Sequence, residues 1–303
     1  MIQNRKSRIF YLWDEAKSAK EWGRCFEKTA EKRGDLEIIK INQFSGSDWP
    51  ALLQFLTKEV GSGDLLLARP KDNADTKVPI SKENFQTLES VFRPQKIFPR
   101  ANLYQFFDDK KKQCEFLKAH HFPIPKTAWV TNQVELKQFM AEEGLFFPLV
   151  RKDSQGHDGL GVSLILDLTQ MHYPGLLQEF CTGFKGEIRV VCIGSHVTGY
   201  LRKCHPFDFK ASGSGLKESL QAIPNEICDI TRRLFLDTGF YSGCVDFIKN
   251  HEGHWVISEF SYLWPLRNLV FLKKFWNLFD QSEHSIGSDW MPSDWILEDM
   301  IPI

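Results

Sequence analysis

Through the first hundred residues, short apolar runs alternate with longer stretches of helical periodicity. Arg8-Ile9-Phe10-Tyr11-Leu12-Trp13, Leu36-Glu37-Ile38-Ile39-Lys40-Ile41 and Gly63-Asp64-Leu65-Leu66-Leu67-Ala68 have the length and composition of buried strands. Asp14 to Lys32, Asp48 to Val60 and Ser81 to Phe92 read as helices between and after them. Strands alternating with helices build parallel βαβ units, so a small α/β domain is expected over residues 1–98. It carries no G-x-G-x-x-G and is assigned no dinucleotide. Its sheet edge is expected to form one wall of a substrate cleft, because open α/β sheets take ligands at the carboxyl ends of their strands.

A connecting segment follows over residues 99–126: the run Asp108-Asp109-Lys110-Lys111-Lys112 opens a helix ending near His120, and Pro123 and Pro125 then break the chain. The next feature, Phe146 to Val162, reads F-F-P-L-V-R-K-D-S-Q-G-H-D-G-L-G-V. It places Lys152 at the end of an apolar strand, then a loop punctuated by Gly156, Gly159 and Gly161, then the β-like run Val162 to Leu166. Glycines let successive N–H groups converge on phosphate oxygens, with the ammonium of Lys152 beside them. No helix follows and no Gly-Lys-Ser/Thr closes the loop, so neither a Walker loop nor a dinucleotide fingerprint fits. What remains is a strand–loop–strand cover for a triphosphate; His157 inside it is read as an ordinary polar loop residue.

Composition narrows the function classes. At 42% hydrophobic and 25% charged, the 303 residues are globular in character. A net charge of −1 gives no electrostatic case for nucleic acid. No apolar run is long enough to span a bilayer, and the polar start Met1-Ile2-Gln3-Asn4-Arg5-Lys6 lacks a secretory core. The seven cysteines contain no C-x-x-C, and their odd number fits reduced thiols and a cytoplasmic location, with Cys192 and Cys244 as core residues.

Further short strands follow in order: Leu176 to Cys181, Gly186 to Gly194, Gly199 to Lys203, Tyr241 to Phe247 and Trp255 to Ser261. This series, from Asp109 to Arg267, resembles the ATP-grasp superfamily, and most closely its RimK-like and glutathione-synthetase-like branch of carboxylate–amine ligases. The loop Asp208-Phe209-Lys210-Ala211-Ser212-Gly213-Ser214-Gly215 resembles one in an uncharacterised bacterial subgroup. The resemblance implies an α/β fold with α+β lobes: a Rossmann-like pre-ATP-grasp domain over 1–98, a small lobe over 127–180 and a large lobe over 181–279. Residues 280–303 form an acidic tail, since no Lys or Arg occurs after Lys274; it is expected to pack on its own domain, with docking of a partner as the alternative.

Activating a carboxylate with ATP requires neutralising the transferring phosphoryl group and holding the reactants in line. Asp246 and Glu259 each lie in an apolar strand, where a carboxylate needs a partner, and Mg²⁺, or Mn²⁺ in its place, suits them. The resemblance implies the other roles. Lys110 and Lys152 flank the phosphates. Gln178, Glu179, Phe180 and Cys181 form the adenine hinge, and Glu187 reaches the ribose or the amine. Arg189 and Arg202 face the transferred phosphoryl group, and Lys210 and Ser212 lie on a closing loop where the pattern has Arg and Asn. Ser261 stands where the family ends E-x-N, so a shorter hydroxyl replaces the third metal ligand. The expected reaction joins a small-molecule or peptide carboxylate to an amine through an acyl phosphate, releasing ADP and phosphate. A kinase that stops at a phosphorylated product, and a non-catalytic ATP-binding regulator, are the alternatives; homo-oligomerisation is left open.

Overall fold

A computed structural model describes residues 6–12, 17–41, 48–68, 82–106, 109–154, 161–183, 186–262, 264, 266–269 and 272–300. The chain opens with β1 (Ser7–Leu12), α1 (Lys17–Arg33), β2 (Leu36–Ile41), α2 (Trp49–Glu59), β3 (Leu65–Ala68), α3 (Lys82–Thr87) and β4 (Ile97–Phe98). These strands form a parallel sheet in the order β2-β1-β3-β4. Period-two alternation sends Phe10, Leu12, Leu66 and Ala68 to one face, with Leu52, Leu56 and Phe85. It sends Ile9, Tyr11, Leu65 and Leu67 to the other, against Trp22, Cys25 and Phe26 of α1. Both faces are covered, which is why these strands read as continuous apolar runs. The helix read over Ser81 to Phe92 is shorter than expected: α3 gives way to a 3₁₀ turn at Leu88–Ser90.

Next come α4 (Ala101–Tyr104), α5 (Lys110–Ala119), β5 (Thr127–Val130), α6 (Gln133–Glu143), β6 (Leu149–Lys152), β7 (Val162–Ile165) and β8 (Gly175–Glu179). The Asp109 side chain caps α5 by accepting from the Lys112 N–H at 3.0 Å. An antiparallel sheet in the order β5-β8-β6-β7 carries α6 and has its own apolar core around Leu136, Leu149, Ile165 and Leu177.

The remaining elements are β9 (Glu187–Ile193), β10 (His196–Arg202), β11 (Lys217–Ser219), α7 (Asn225–Arg232), β12 (Ser242–Lys249), β13 (Trp255–Ser261), β14 (Lys274–Asn277), β15 (Glu283–Ser285) and α8 (Pro292–Met300). They build a seven-stranded sheet in the order β13-β12-β9-β10-β14-β15, with β11 paired to β10. One face of this sheet shares its core with the N-terminal α2 and α3, the other with α1 and α8. Cys192 and Cys244 are fully buried in it.

The acidic C-terminal segment packs on its own chain. Ser293 and Asp294 hydrogen-bond Thr29 of α1 at 2.7 and 2.9 Å, Trp295 stacks on His196 at 4.7 Å, and Arg100 pairs with Asp299 at 3.2 Å. Among the described residues no helix is long and apolar enough to cross a membrane.

Trp295 is 5% exposed and touches Phe275, Trp290 and His196. Trp295→Ala should therefore cost about 3–5 kcal/mol in urea unfolding. A cost below about 1 kcal/mol would show that α8 is dispensable to the fold.

Candidate functional site

The site lies where the small antiparallel sheet meets the seven-stranded one. Antiparallel register sets one row of side chains across the larger sheet: Glu259 on β13 stands opposite Asp246 on β12, Asp246 opposite Arg189 on β9, and Arg189 opposite Tyr200 on β10. In the neighbouring row, Glu187 stands opposite Arg202. Directly opposed residues share a face, so all these side chains project together. Gly186, immediately before this row, has φ +136°, and a Cβ there would come within 2.5 Å of the Arg202 carbonyl oxygen, so the close approach of β9 to β10 requires glycine.

Asp246 is the hub. Arg189 donates to it bidentately, Nε to Oδ1 and Nη2 to Oδ2, both at 2.6 Å, and Arg202 Nη2 donates to Oδ2 at 2.5 Å. Arg202 Nη2 also contacts Glu187. Burial works against the charge on Asp246, but the two guanidinium groups outweigh it and hold its carboxyl below the usual range. For Glu187, burial and then the charge of Asp246 push the carboxyl up to about 7, against the pull of Arg202. Glu259, half-buried, makes no hydrogen bond or ion pair among the described residues. Ser261, also half-buried, shares its face two residues on and pairs across with Cys244.

The register of β12 and β13 shifts between Asp246 and Phe247: Asp246 opposes Glu259 but Phe247 opposes Ile257, leaving Ser258 as a bulge. Bulges re-aim side chains beside functional sites. This one presents the Ser258 carbonyl and hydroxyl to Lys152 Nζ of the small sheet, each at 3.2 Å. Burial pushes the Lys152 ammonium down in pKa, and Glu259 pulls it back up. Lys110, in the first turn of α5, is buried too, and its N–H donates to the Ser154 carbonyl at 2.9 Å. Lys110 and Lys152 line a small recess with Gln113, Gln178, Leu176 and Ile257.

After Lys152 the chain turns at Asp153, whose N–H donates to the Gly161 carbonyl at 2.8 Å. Gly161 has φ +72°, and a Cβ there would lie 2.5 Å from Asp153 Oδ2, so this end of the loop requires glycine. Gly156, His157 and Gly159 lie outside the described residues.

At the end of β8, Gln178 Nε2 donates to Thr127 Oγ1 at 3.1 Å. Glu179 is tied twice to Lys126: its N–H donates to the Lys126 carbonyl, and its Oε1 accepts from the Lys126 N–H. Its other carboxylate oxygen, Oε2, lies 3.6 Å from His251 Nε2. Burial pushes the Cys181 thiol up to about 12, which makes it a neutral group. The Phe180 ring meets Phe209 edge-on at 6.1 Å, seating the 203–216 loop against this strand end. In that loop Lys210 N–H donates to Asp208 Oδ1 at 3.0 Å. Lys210 and Ser212 are half-buried, and neither makes a hydrogen bond or ion pair to the charged row.

The structure thus brings together Lys110, Lys152, Glu187, Arg189, Arg202, Asp246, Glu259 and Ser261, and leaves Lys210 and Ser212 on the neighbouring loop. The RimK-like ATP-grasp domain family matches residues 107–258. The chain belongs to that family. Solved structures share the ATP-grasp fold at low identity. N5-carboxyaminoimidazole ribonucleotide synthetase from Thermotoga maritima aligns with a TM-score of 0.54 and 14% identity over 84% of this chain and 68% of that one. A RimK domain ATP-grasp protein from Sphaerobacter thermophilus gives 0.50 and 17% over 84% and 90%. The ATP-grasp ligase PsnB, bound to a phosphomimetic variant of its minimal precursor, Mg and ADP, gives 0.58 and 14% over 87% and 92%. A search of the curated proteins finds no match.

Sequence reading did not single out Ser258 or Asn268. A bulge leaves no mark in residue type, and Asn268 reaches the sheet from a 3₁₀ turn at Leu266–Asn268. Tyr200 could have been found: it lies two residues from Arg202 on the same strand and so on the same face.

Two predictions follow from these charges. Asp246→Asn should lower unfolding free energy by about 3–5 kcal/mol, because it removes the carboxylate that Arg189 pairs with and leaves Arg202 with Glu187. Glu259→Gln should change it by no more than about 0.5 kcal/mol, and equal losses in the two variants would refute the asymmetry. Glu187 behaves oppositely to Asp246: a carboxyl raised on folding contributes its stability at low pH and loses it as pH rises. Relative to Glu187→Gln, the wild type should lose stability between pH 4.5 and about 7, and hold level above that. Urea titrations at stepped pH read this directly.

Proposed function

We propose that this ATP-grasp protein is an ATP-dependent carboxylate–amine ligase that works through an acyl phosphate. The supporting observation is the order of charges along one sheet face. Lys152 reaches from the small lobe to the bulge beside Glu259, and the carboxylates on β13 and β12 are followed by the arginines on β9 and β10. A triphosphate entering between the lobes would lie along Lys110 and Lys152, with the purine edge at the main chain of Phe180 and Cys181. Its terminal phosphoryl group would point toward Arg189 and Arg202.

The donor set suits Mg²⁺. Glu259 has no competing partner among the described residues, and Asp246 accepts only one of its three arginine hydrogen bonds on Oδ1. Two carboxylates suffice for an ion that draws its other ligands from phosphate oxygens and water. Among the described residues no three His, Cys, Asp or Glu side chains converge on one point. When bound, the ion neutralises charge developing between the β- and γ-phosphates.

A carboxylate oxygen attacks the γ-phosphorus, and the bond to ADP breaks. The amine nitrogen then attacks the acyl carbon, a C–N bond forms, phosphate leaves and the nitrogen gives up a proton. Arg189 and Arg202 hold the phosphoryl oxygens through both steps, and the 203–216 loop, seated by Phe209, screens the acyl phosphate from water.

Calorimetry should show saturable Mg·ATP binding that Lys152→Ala weakens about tenfold or more. Glu259→Gln should fold normally and lose turnover by at least about a hundredfold. No saturable binding at millimolar nucleotide would overturn the reading. With an accepted acid present, hydroxylamine should trap a hydroxamate; a stable phosphorylated product resistant to hydroxylamine would show a kinase instead.

A further inference from the structure

Strand β13 ends the seven-stranded sheet, with β12 as its neighbour on the inner side. An edge strand presents outward N–H and C=O groups that need partners. Here three separate segments supply them. The Ile257 N–H donates to the Pro123 carbonyl of the connecting segment at 2.8 Å, the Ser258 carbonyl accepts from Lys152 Nζ at 3.2 Å, and the Phe260 N–H donates to Gln113 Oε1 of α5 at 3.2 Å. Gln113 is 4% exposed, and its other amide atom is engaged as well, Nε2 donating to the Phe106 carbonyl at 2.9 Å. A carboxamide meets both demands because it carries an acceptor and a donor side by side. The Phe106 and Phe116 rings pack on that of Phe260 at 5.4 and 6.0 Å, which seats α5 against this strand.

Two of these ties flank Glu259. The Ser258 carbonyl belongs to the peptide before its Cα, and the Phe260 N–H to the peptide after it. Peptides are planar, so holding both fixes the direction in which the Glu259 side chain leaves the strand. The two ties differ in permanence. On the reading above Lys152 Nζ turns to phosphate when nucleotide binds, whereas the Gln113 amide is buried with both ends engaged. Gln113 also follows Lys110 by three residues, and the two are buried on one face of α5. Its amide therefore joins the helix that carries a phosphate-side lysine to the strand that carries the carboxylate.

We infer that Gln113 is a positioning residue for the metal nucleotide: through the Phe260 N–H it holds Glu259 where the cation of Mg·ATP meets it. This rests on the reading of Glu259 as a magnesium ligand. Gln113 acts through the main chain of β13 and does not itself ligate the ion. Groups that orient a metal ligand typically change metal affinity by about ten- to a hundredfold when removed. The effect should therefore appear in the magnesium dependence of nucleotide binding and leave binding of the metal-free nucleotide nearly untouched. A contribution to folding alone would not separate the two.

The test is calorimetry with ADP on the full chain, in EDTA and in saturating Mg²⁺. In the wild type Mg²⁺ should tighten ADP by about tenfold or more; in Gln113→Met, a side chain of similar length without the amide, that factor should fall to about threefold or less while affinity in EDTA stays within about threefold. Gln113→Glu, which keeps an acceptor at the same reach, should recover most of the factor. A magnesium factor in Gln113→Met equal to the wild type's, or an equal loss of affinity with and without the metal, overturns the inference and leaves the nucleotide reading standing. A wild type that shows no magnesium dependence overturns the assignment of Glu259 and this inference with it. Amide hydrogen exchange on the wild type covers the case in which Gln113→Met does not fold. The Phe260 N–H should exchange as slowly as the amides of β12, and exchange at the rate of an exposed edge removes the tie.

Discussion

The placement of Asp246 between Arg189 and Arg202 constrains everything around it. A carboxylate buried in a sheet is tolerable only if its charge is met at hydrogen-bonding distance, and three guanidinium N–H groups meet it here. Those contacts need β12 beside β9 and β9 beside β10, each in one register. A slip of one residue on any of the three would turn a charged side chain into the apolar layer on the other face. The ion cluster therefore acts as a registry device for the middle of the sheet, and the same registry lines up Glu259, Tyr200 and Lys217. Its role in chemistry and its role in specifying the fold cannot be separated by position.

The small lobe is held differently. The N-terminal domain and the large lobe bury apolar side chains in common clusters, whereas the small lobe closes its own core around Leu136, Leu149 and Leu177. Its links to the rest include polar ones: Glu179 to Lys126, and Lys152 to Ser258. Polar contacts across a cleft can be exchanged for contacts to a ligand at small net cost, whereas separating a shared apolar core exposes area to water. The small sheet thus keeps a core of its own, while the N-terminal sheet and the seven-stranded sheet share theirs.

Much of this was legible in the chain. The strand runs at Ile9, Ile38 and Leu66 appear as parallel strands, because a sheet covered on both faces imposes an uninterrupted apolar requirement that residue type records. The carboxylates of Asp246 and Glu259 stood out because charge inside an apolar strand is costly and so informative. Other features were not legible, since they depend on pairing rather than residue type. Nothing in V-I-S-E-F marks Ser258 as the bulge, and Asp246 reads as an open metal ligand until β9 and β10 deliver two arginines to it. The acidic tail shows the same limit: its charge drew attention, but Trp295, Ile296 and Leu297 decide where it lies.

The opposition of Asp246 and Glu259 bears on what the site accepts. Two carboxylates directly across a strand pair repel. On the β9 side the cost is relieved by Arg189, which Asp246 already holds. On the β13 side, among the described residues, Glu259 acts on the Lys152 ammonium, which donates to Ser258. A cation arriving there relieves the repulsion and leaves the arginine cluster intact. An arriving anion finds its compensation at Lys110, Lys152 and the arginines, but not beside Glu259. The face is thus polarised before any ligand binds, with carboxylates at β13 and β12 and guanidinium groups at β9 and β10.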